Sequence, residues 1–414
     1  MKFKNFIIGF CFILFYTLTV TVFAVNSEPT TTITVPVEQW TDADNLFRNN
    51  SHWRGADGAY SIQLDSERVL WMFGDTLVSN KNNLVPRTNT NTAYPPKCPR
   101  NSVGIQTGLD PSTATIKYYW KENNSITDPI SFFRSPYIAK ANWLWPGDFT
   151  LLPDGKTLVM FFMNIYPTDI KPFYFDIAGY QVAIIRNSNE TPDKWEIEWV
   201  EKVSSYLPWK ILVGSGGVLV DGDYLYAFGY SSLKDNAGVC LARWSLSVLD
   251  QDTPNLSMPQ WWSSAINDWI IDPNPGTPRP SLVWDKGQTE FTVNKIKQGL
   301  YVMFEAYPPL GYMGNGDMVC RVARSLTGPW SDQISFYHTI YKTLPCPTDI
   351  MVYAGKYHPQ LQGSDFIFTY ATNTSHLKSL WLYEDIYYPR FLKINSNTFI
   401  EQLEQYLPPI EAKR

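Results

Sequence analysis

The run Val69-Leu70-Trp71-Met72-Phe73-Gly74-Asp75 decides the fold, because four later stretches share its character. They are 158–164 (LVMFFMN), 225–231 (LYAFGYS), 300–307 (LYVMFEAY) and 366–373 (FIFTYATN). Each is a short aromatic and β-branched run that follows a polar turn: LDSER before the first, then PDGK, VDGD, IKQG and LQGSD. Continuous apolar runs of this length, set off by turn residues, read as strands buried on both faces. The five copies recur roughly every 75 residues, a period that leaves room for several strands per unit. That is the signature of an all-β chain folded as a five-bladed β-propeller of four-stranded antiparallel blades.

Working outward, the segments 182–188 (VAIIRNS), 239–245 (VCLARWS) and 319–325 (VCRVARS) follow the second, third and fourth runs as third strands. Two of them lead through a short loop to Trp195 and Trp330, which open a fourth strand. Before each repeated run lies a candidate innermost strand: 55–64, 146–152, 215–220, 289–295 and 357–361. Small and polar residues gather where these strands begin, and glycine there suits close backbone approach around an axis. The starts would present Asp57, Asp148, Gly216, Gly217 and His358 to one shared channel. Helix signals are scarce, and only 397–407 reads as a short terminal helix.

The first residues have the form of a secretory signal. Lys2 and Lys4 precede an apolar stretch from 6 to 23, and Val22-Phe23-Ala24 is a small-residue cleavage site. The apolar stretch is also long enough for a membrane anchor; on either reading the rest of the chain lies outside the cytoplasm. Taking 1–24 as signal leaves 25–414 as a single propeller domain, secreted or periplasmic, expected to be monomeric and without a further membrane span. The net charge of −5 and the absence of a basic cluster argue against a nucleic-acid partner. Sixteen Trp and 25 Tyr exceed what a core of this size needs, and aromatic rings at strand ends stack on sugar faces. Cys98 and Cys346 sit in Pro-rich loops and form a plausible disulfide pair, whereas Cys240 and Cys320 lie in strand-like runs that suit buried thiols as well. With no CxxC or His/Cys cluster, a zinc site is not expected. No organic cofactor is implied, and a central Ca²⁺ has no acidic loop to support it.

Carboxylates are the chemical candidates. Glycoside hydrolysis needs two of them across the scissile bond, one protonated and one ionised. Asp57 sits among small residues (Trp53-Arg54-Gly55-Ala56-Asp57-Gly58) and Asp75 ends an apolar strand. If the first two strands of blade 1 are antiparallel, the start of one lies beside the end of the other, so the two aspartates share one face. A turn or capping role is the bland reading of each taken alone. Asp148 and Glu305 are the corresponding acids of blades 2 and 4, and His358 a third supporting group. Arg100, Asn101, Trp143 and Trp145 are candidate sugar contacts.

The phrases W-x-G-x-D-G-A-Y-S (from Trp53), L-W-x-F-G-D-T (from Leu70), W-P-G-D (from Trp145) and Y-H-P-Q-L (from Tyr357) resemble a family of secreted five-bladed propellers. That family was long filed as a domain of unknown function, and some of its members are endo-D-arabinanases. The resemblance covers nearly the whole chain after the signal. It implies that Asp57 and Asp75 are the catalytic pair, that Asp148 and His358 support them, and that the substrate is a furanose polysaccharide such as D-arabinan. This chain departs from the pattern in its Asn/Thr/Pro-rich insert 80–97 and its Trp-rich stretch 260–272, expected to reshape the cleft. A non-catalytic carbohydrate-binding or surface-interaction propeller is the rival reading. An esterase is a third, but His52, His338, His358 and His376 stand in no nucleophile motif.

Overall fold

The computed structural model describes residues 31–409, apart from 51, 79–97, 122–129, 170–173, 234–236, 272–278, 308–315, 340–349, 362–364, 375–379 and 381–385. The signal segment, the insert 80–97, Cys346 and His376 therefore lie outside the described residues. Five antiparallel sheets are arranged as a propeller. From the axis outward, blade 1 runs Tyr60–Gln63, Arg68–Phe73, Ser102–Thr107 and Thr115–Tyr119. Blade 2 runs Trp143–Leu151, Leu158–Pro167, Phe175–Ile185 and Ile197–Trp199. Blade 3 opens with Ile211–Asp221, Tyr224–Ser231 and Gly238–Ser245; blade 4 runs Phe291–Lys297, Leu300–Tyr307, Asp317–Ala323 and Ile334–His338. Blade 5 has Ile350–Tyr357, Asp365–Thr374 and Arg390–Asn395, and takes its outermost strand, Val37–Gln39, from the other end of the chain. That borrowed strand closes the ring.

Each of the five repeated runs is the second strand of its blade, and the packing explains why these strands are largely apolar on both faces. Successive side chains of a strand point to opposite faces, and in a propeller each face meets a neighbouring blade. Along Arg68–Phe73, Val69, Trp71 and Phe73 enter the core shared with blade 5, while Leu70 and Met72 enter the core shared with blade 2. Likewise Leu158, Met160 and Phe162 face blade 1, and Val159, Phe161 and Met163 face blade 3. In blade 4, Leu300, Val302, Phe304 and Ala306 face blade 5, and Tyr301 and Met303 face blade 3. Five cores thus sit between blades, and each buried Leu, Val or Phe contributes about 1.5–3 kcal/mol of transfer free energy. The seam between blades 5 and 1 is sealed by the helix Thr41–Arg48, whose Phe47 stacks on Phe391 at 5.4 Å and meets Trp71 edge-on at 5.0 Å.

Glycine permits the inner strands to approach one another. A Cβ on Gly147 would lie 2.3 Å from the Gly214 carbonyl oxygen of the next blade. The terminal helix is Ser396–Glu404, capped by the Asn395 side chain. Two expectations need correction. The innermost strand of blade 5 is Ile350–Tyr357, not 357–361: Pro359 has no N–H for a ladder, so the strand ends before it and His358 lies just past its end. The described part of the Trp-rich stretch, 260–271, lies away from the pocket wall. It forms the hairpin Gln260–Ser263 and Asp268–Ile271, added to the outer side of blade 3 with Trp262 against Trp269. Cys240 and Cys320 are buried free thiols.

Candidate active site

The register of blade 1 brings its two aspartates together. Tyr60 lies opposite Met72 and, in the short ladder that continues toward the channel mouth, Ala56 lies opposite Thr76. Asp57 and Asp75 are the next pair in that register, and the Gly74 N–H donates to the Asp57 carbonyl at 2.9 Å. Directly opposed residues in an antiparallel pair have Cβ atoms about 4.5–5.5 Å apart. Gly74 makes the arrangement possible: a Cβ there would come within 2.3 Å of Asp57 Oδ1.

The two carboxyl groups live in different surroundings. Asp57 is partly exposed, and its Oδ2 accepts from the hydroxyls of Tyr353 at 2.9 Å and Tyr387 at 3.2 Å. Burial, followed by the negative charges of Asp75 and Glu290, raises its pKa well above the ordinary value. Asp75 is only 2% exposed. Both its oxygens are engaged, one by Arg100 Nη1 at 2.9 Å and the other by Trp145 Nε1 at 2.7 Å. Burial raises its pKa too, but the Arg100 cation and these donors oppose the rise. The Arg100 guanidinium in turn lies 4.5 Å over the Trp143 ring. Of these two carboxyls side by side, Asp57 is pushed further up, so it is the one that more readily keeps a proton.

Asp57 opens into a pocket that offers about 140 Å³ to water-sized molecules. Trp145, Pro146, Met163, Ile165, Phe175 and Ile177 make an apolar wall on blade 2. Thr289, Glu290 and Tyr353 line the pocket from blades 4 and 5. Trp145 and Phe175 meet edge-on at 4.8 Å, an aromatic corner beside the acid.

Deeper in the channel the remaining candidates form a second polar layer. Asp148 accepts the backbone N–H groups of Val218 and Phe149, each at 2.9 Å, and so clasps blade 2 to blade 3; burial pushes its pKa up to about 6. Glu305 accepts from Gln333 Nε2 at 2.8 Å, and burial raises it to about 7. His358 is 1% exposed, shares hydrogen bonds with Ser61 Oγ at 2.5 Å and Thr369 Oγ1 at 2.8 Å, and lies against Trp71. Burial, and then the Lys356 charge, lowers it to about 3. Between the layers lie Tyr60, whose hydroxyl donates to the Ser215 carbonyl at 2.7 Å, and the ammonium of Lys356, 4.1 Å from the Tyr60 ring centre.

The structure therefore gathers Asp57, Asp75, Arg100, Trp143 and Trp145 at the mouth. It sets Asp148, Glu305 and His358 below them, without a place on the pocket wall. Asn101 is fully buried and spends its amide on the backbone of Phe133 and Leu144, so it braces the loop rather than facing the pocket. Sequence reasoning missed Glu290, Tyr353, Lys356 and Tyr387. Glu290 had a signal, since it is the acid at the start of an inner strand, as Asp57 is. Lys356 had one as well, being the one charged residue in the strand Ile350–Tyr357. Among the described residues no group of His, Cys, Asp and Glu could hold a metal ion, and no helix is long and apolar enough to cross a membrane.

These features define a five-bladed propeller with an acid-bearing, aromatic-walled pocket at one mouth of its channel. The chain belongs to the family described as domain of unknown function DUF5005, which matches residues 41–397. No curated protein matches it. Among solved structures it is similar to a putative hydrolase from Bacteroides ovatus, with 17% identity, 90% of this chain and 93% of that one covered, and a TM-score of 0.66. It is more distantly similar to the catalytic domain of a GH62 α-L-arabinofuranosidase from Coprinopsis cinerea, with 11% identity, 83% and 92% covered, and a TM-score of 0.44. The α-L-arabinanase of Cellvibrio cellulosa gives 11% identity, 86% and 99% covered, and a TM-score of 0.42. At these identities the likeness speaks to the fold.

Proposed function

We propose that this protein is a secreted glycoside hydrolase that acts on a furanose-containing polysaccharide such as D-arabinan. Asp57 is the general acid and Asp75 its ionised partner. The observation that carries this reading is the pairing of the two: Asp57 faces the pocket with a raised pKa, and Asp75 holds a negative charge behind it under Arg100 and Trp145. A carboxyl kept protonated near neutral pH is what protonation of a glycosidic oxygen requires. The negative charge of Asp75 favours that proton on Asp57, and the Tyr353 and Tyr387 hydroxyls hold the carboxyl in place. The wall made by Trp145 and Phe175 offers an apolar face to a sugar ring. The sequence phrases around Trp53 and Leu70, which resemble propellers that include endo-D-arabinanases, point to the same substrate class.

The test is product release from arabinans and other furanose and pyranose polysaccharides, running wild type beside Asp57→Asn and Asp75→Asn with folding checked by circular dichroism. Cleavage by wild type that collapses in both variants supports the reading. Glycan binding by all three proteins without cleavage by any of them replaces it with a carbohydrate-binding propeller.

A further inference from the structure

An inverting or retaining hydrolysis needs two carboxyl groups that touch the substrate, and Asp75 cannot be the second. It is 2% exposed, lies off the pocket wall, and has both oxygens committed to Arg100 and Trp145. A different carboxylate meets the requirement. Glu290 lines the same pocket as Asp57 and is partly exposed there. It stands one residue before the inner strand Phe291–Lys297, so it enters from blade 4, whereas Asp57 enters from blade 1. In a five-bladed ring these blades are not neighbours, so the two acids reach the one pocket from different sides of the channel, close enough for each charge to act on the other. No described residue hydrogen-bonds the Glu290 side chain, so its oxygens are available to a ligand. Burial raises its carboxyl above the ordinary value, and the charge that opposes this rise is that of Lys356. That ammonium is fully buried, has no hydrogen-bond partner among the described residues, and faces Glu290, Asp148, Glu305 and Asp57.

Resting on the hydrolase reading above, we propose that Glu290 is the second catalytic carboxylate, a base that activates the attacking water, and that Lys356 is a positioning residue that keeps Glu290 ionised. The step balances. Asp57 gives its proton to the glycosidic oxygen as the bond from the anomeric carbon to that oxygen breaks. Glu290 takes a proton from the water whose oxygen forms the new bond to the same carbon. The released alcohol carries the Asp57 proton, the sugar carries the water hydroxyl, and both carboxyls return to their starting states by proton exchange with solvent. Lys356 acts through charge alone. An ammonium beside a carboxylate favours the ionised form, and this one has no water shell to weaken its field.

The decisive experiment compares wild type, Asp57→Asn, Glu290→Gln, Glu290→Ala and Lys356→Met on a polysaccharide that wild type cleaves. Glu290→Gln should lose about 10²–10⁴-fold in kcat, the usual worth of a positioned acid or base. Added azide, which needs no base, should restore turnover of Glu290→Ala and yield a glycosyl azide. Lys356→Met removes the cation that lowers Glu290, so the acid limb of the kcat/KM profile should move to higher pH. Asp57 also faces Lys356, and its basic limb should move the same way; Tyr60, the other group near both acids, stays protonated throughout. A merely structural role for Lys356 would lower rates without moving the limbs. Turnover of Glu290→Gln within about tenfold of wild type while Asp57→Asn is inactive, no azide product, or an unmoved acid limb in Lys356→Met overturns this proposal and leaves the hydrolase reading standing. Wild type inactive on every glycan overturns both.

Discussion

The mouth of the channel and its interior hold the same kinds of residue and use them in opposite ways. At the mouth, Asp57 and Glu290 keep oxygens turned to the pocket, and the groups around them adjust their charge more than their stability. In the interior, Asp148 spends both oxygens on backbone N–H groups of blades 2 and 3, and Glu305, only 1% exposed, gives one oxygen to Gln333. Both layers are acidic and both raise carboxyl pKa values by burial. What separates them is whether the carboxyl has a place on the pocket wall. A perturbed pKa in a cleft marks a functional candidate, but in a propeller channel it equally marks a clasp, and the hydrogen-bond partners decide which.

The comparison breaks most easily at Asp57. Asp57→Asn should reduce kcat by about 10²–10⁴-fold while the midpoint of thermal unfolding changes little, because asparagine can still accept from both tyrosine hydroxyls. If the midpoint collapses along with activity, Asp57 is a clasp like Asp148, and the contrast fails.

Arg100 sharpens the same contrast, because it serves both roles. Arg100→Met strands the buried Asp75 without its cation. Removing one member of a buried pair costs about 3–5 kcal/mol, and the partial exposure of Arg100 reduces this to about 2–3 kcal/mol. Asp75 then titrates higher and more of it is neutral near pH 7, so the charge that raises Asp57 is lost and the basic limb of kcat/KM should move to lower pH. Chemical denaturation and a pH–rate profile measure the two effects separately. A loss of stability with an unmoved limb would make Arg100 a structural clasp only.

Glu305 tests the interior by pH. Its folded value of about 7 stands above the ordinary 4.5. Between those values the folded state holds a proton that the unfolded state has lost, so the stability tied to this group is full below about 4.5 and lost as pH rises through 7. Glu305→Gln should flatten that slope by up to about 3 kcal/mol in a denaturant series from pH 4 to 8, with little change in kcat near neutrality. An unchanged slope would mean that Glu305 stays ionised in the fold.

Much of this organisation was legible in the residues. The five apolar runs could be recognised because each second strand buries both faces between two blades, so apolar side chains fill most positions on both of its faces. Asp57 and Asp75 could be paired because strand register follows from parity once the turn is placed, and the same parity aligns Tyr60 with Met72. Convergence across blades could not be read that way. Tyr353, Tyr387 and Glu290 come to Asp57 and its pocket from 230 or more positions away along the chain, and local sequence carries no record of which inner strands end at the same height. The bulge between Tyr353 and Lys356 hid blade 5 further, since it breaks the alternation of its inner strand and turns Lys356 into the channel. The turn residues around Pro359 therefore draw the apparent strand too late in the sequence, and His358 lies one strand length farther from the acids than the sequence suggests.

His358 gives the smallest expected effect. Burial holds its ring neutral down to about pH 3, so it cannot exchange protons in the range where a hydrolase of this kind works. Its contacts are those of a wedge: Ser61 on blade 1, Thr369 on blade 5 and the Trp71 face. His358→Gln can keep one of the two hydrogen bonds and should cost about 1–2 kcal/mol, with kcat near wild type and both limbs of the pH profile unmoved. The folded ring is depressed from 6.5 to about 3, so the stability it supplies is complete above pH 6.5 and is lost as the pH falls toward 3. The variant should therefore trail wild type near neutrality, draw level with it about one pH unit below 6.5, and be the more stable of the two in stronger acid. A shifted limb would show that the interior layer speaks to Asp57 through its charges, and the two layers would then have to be treated as one titrating network.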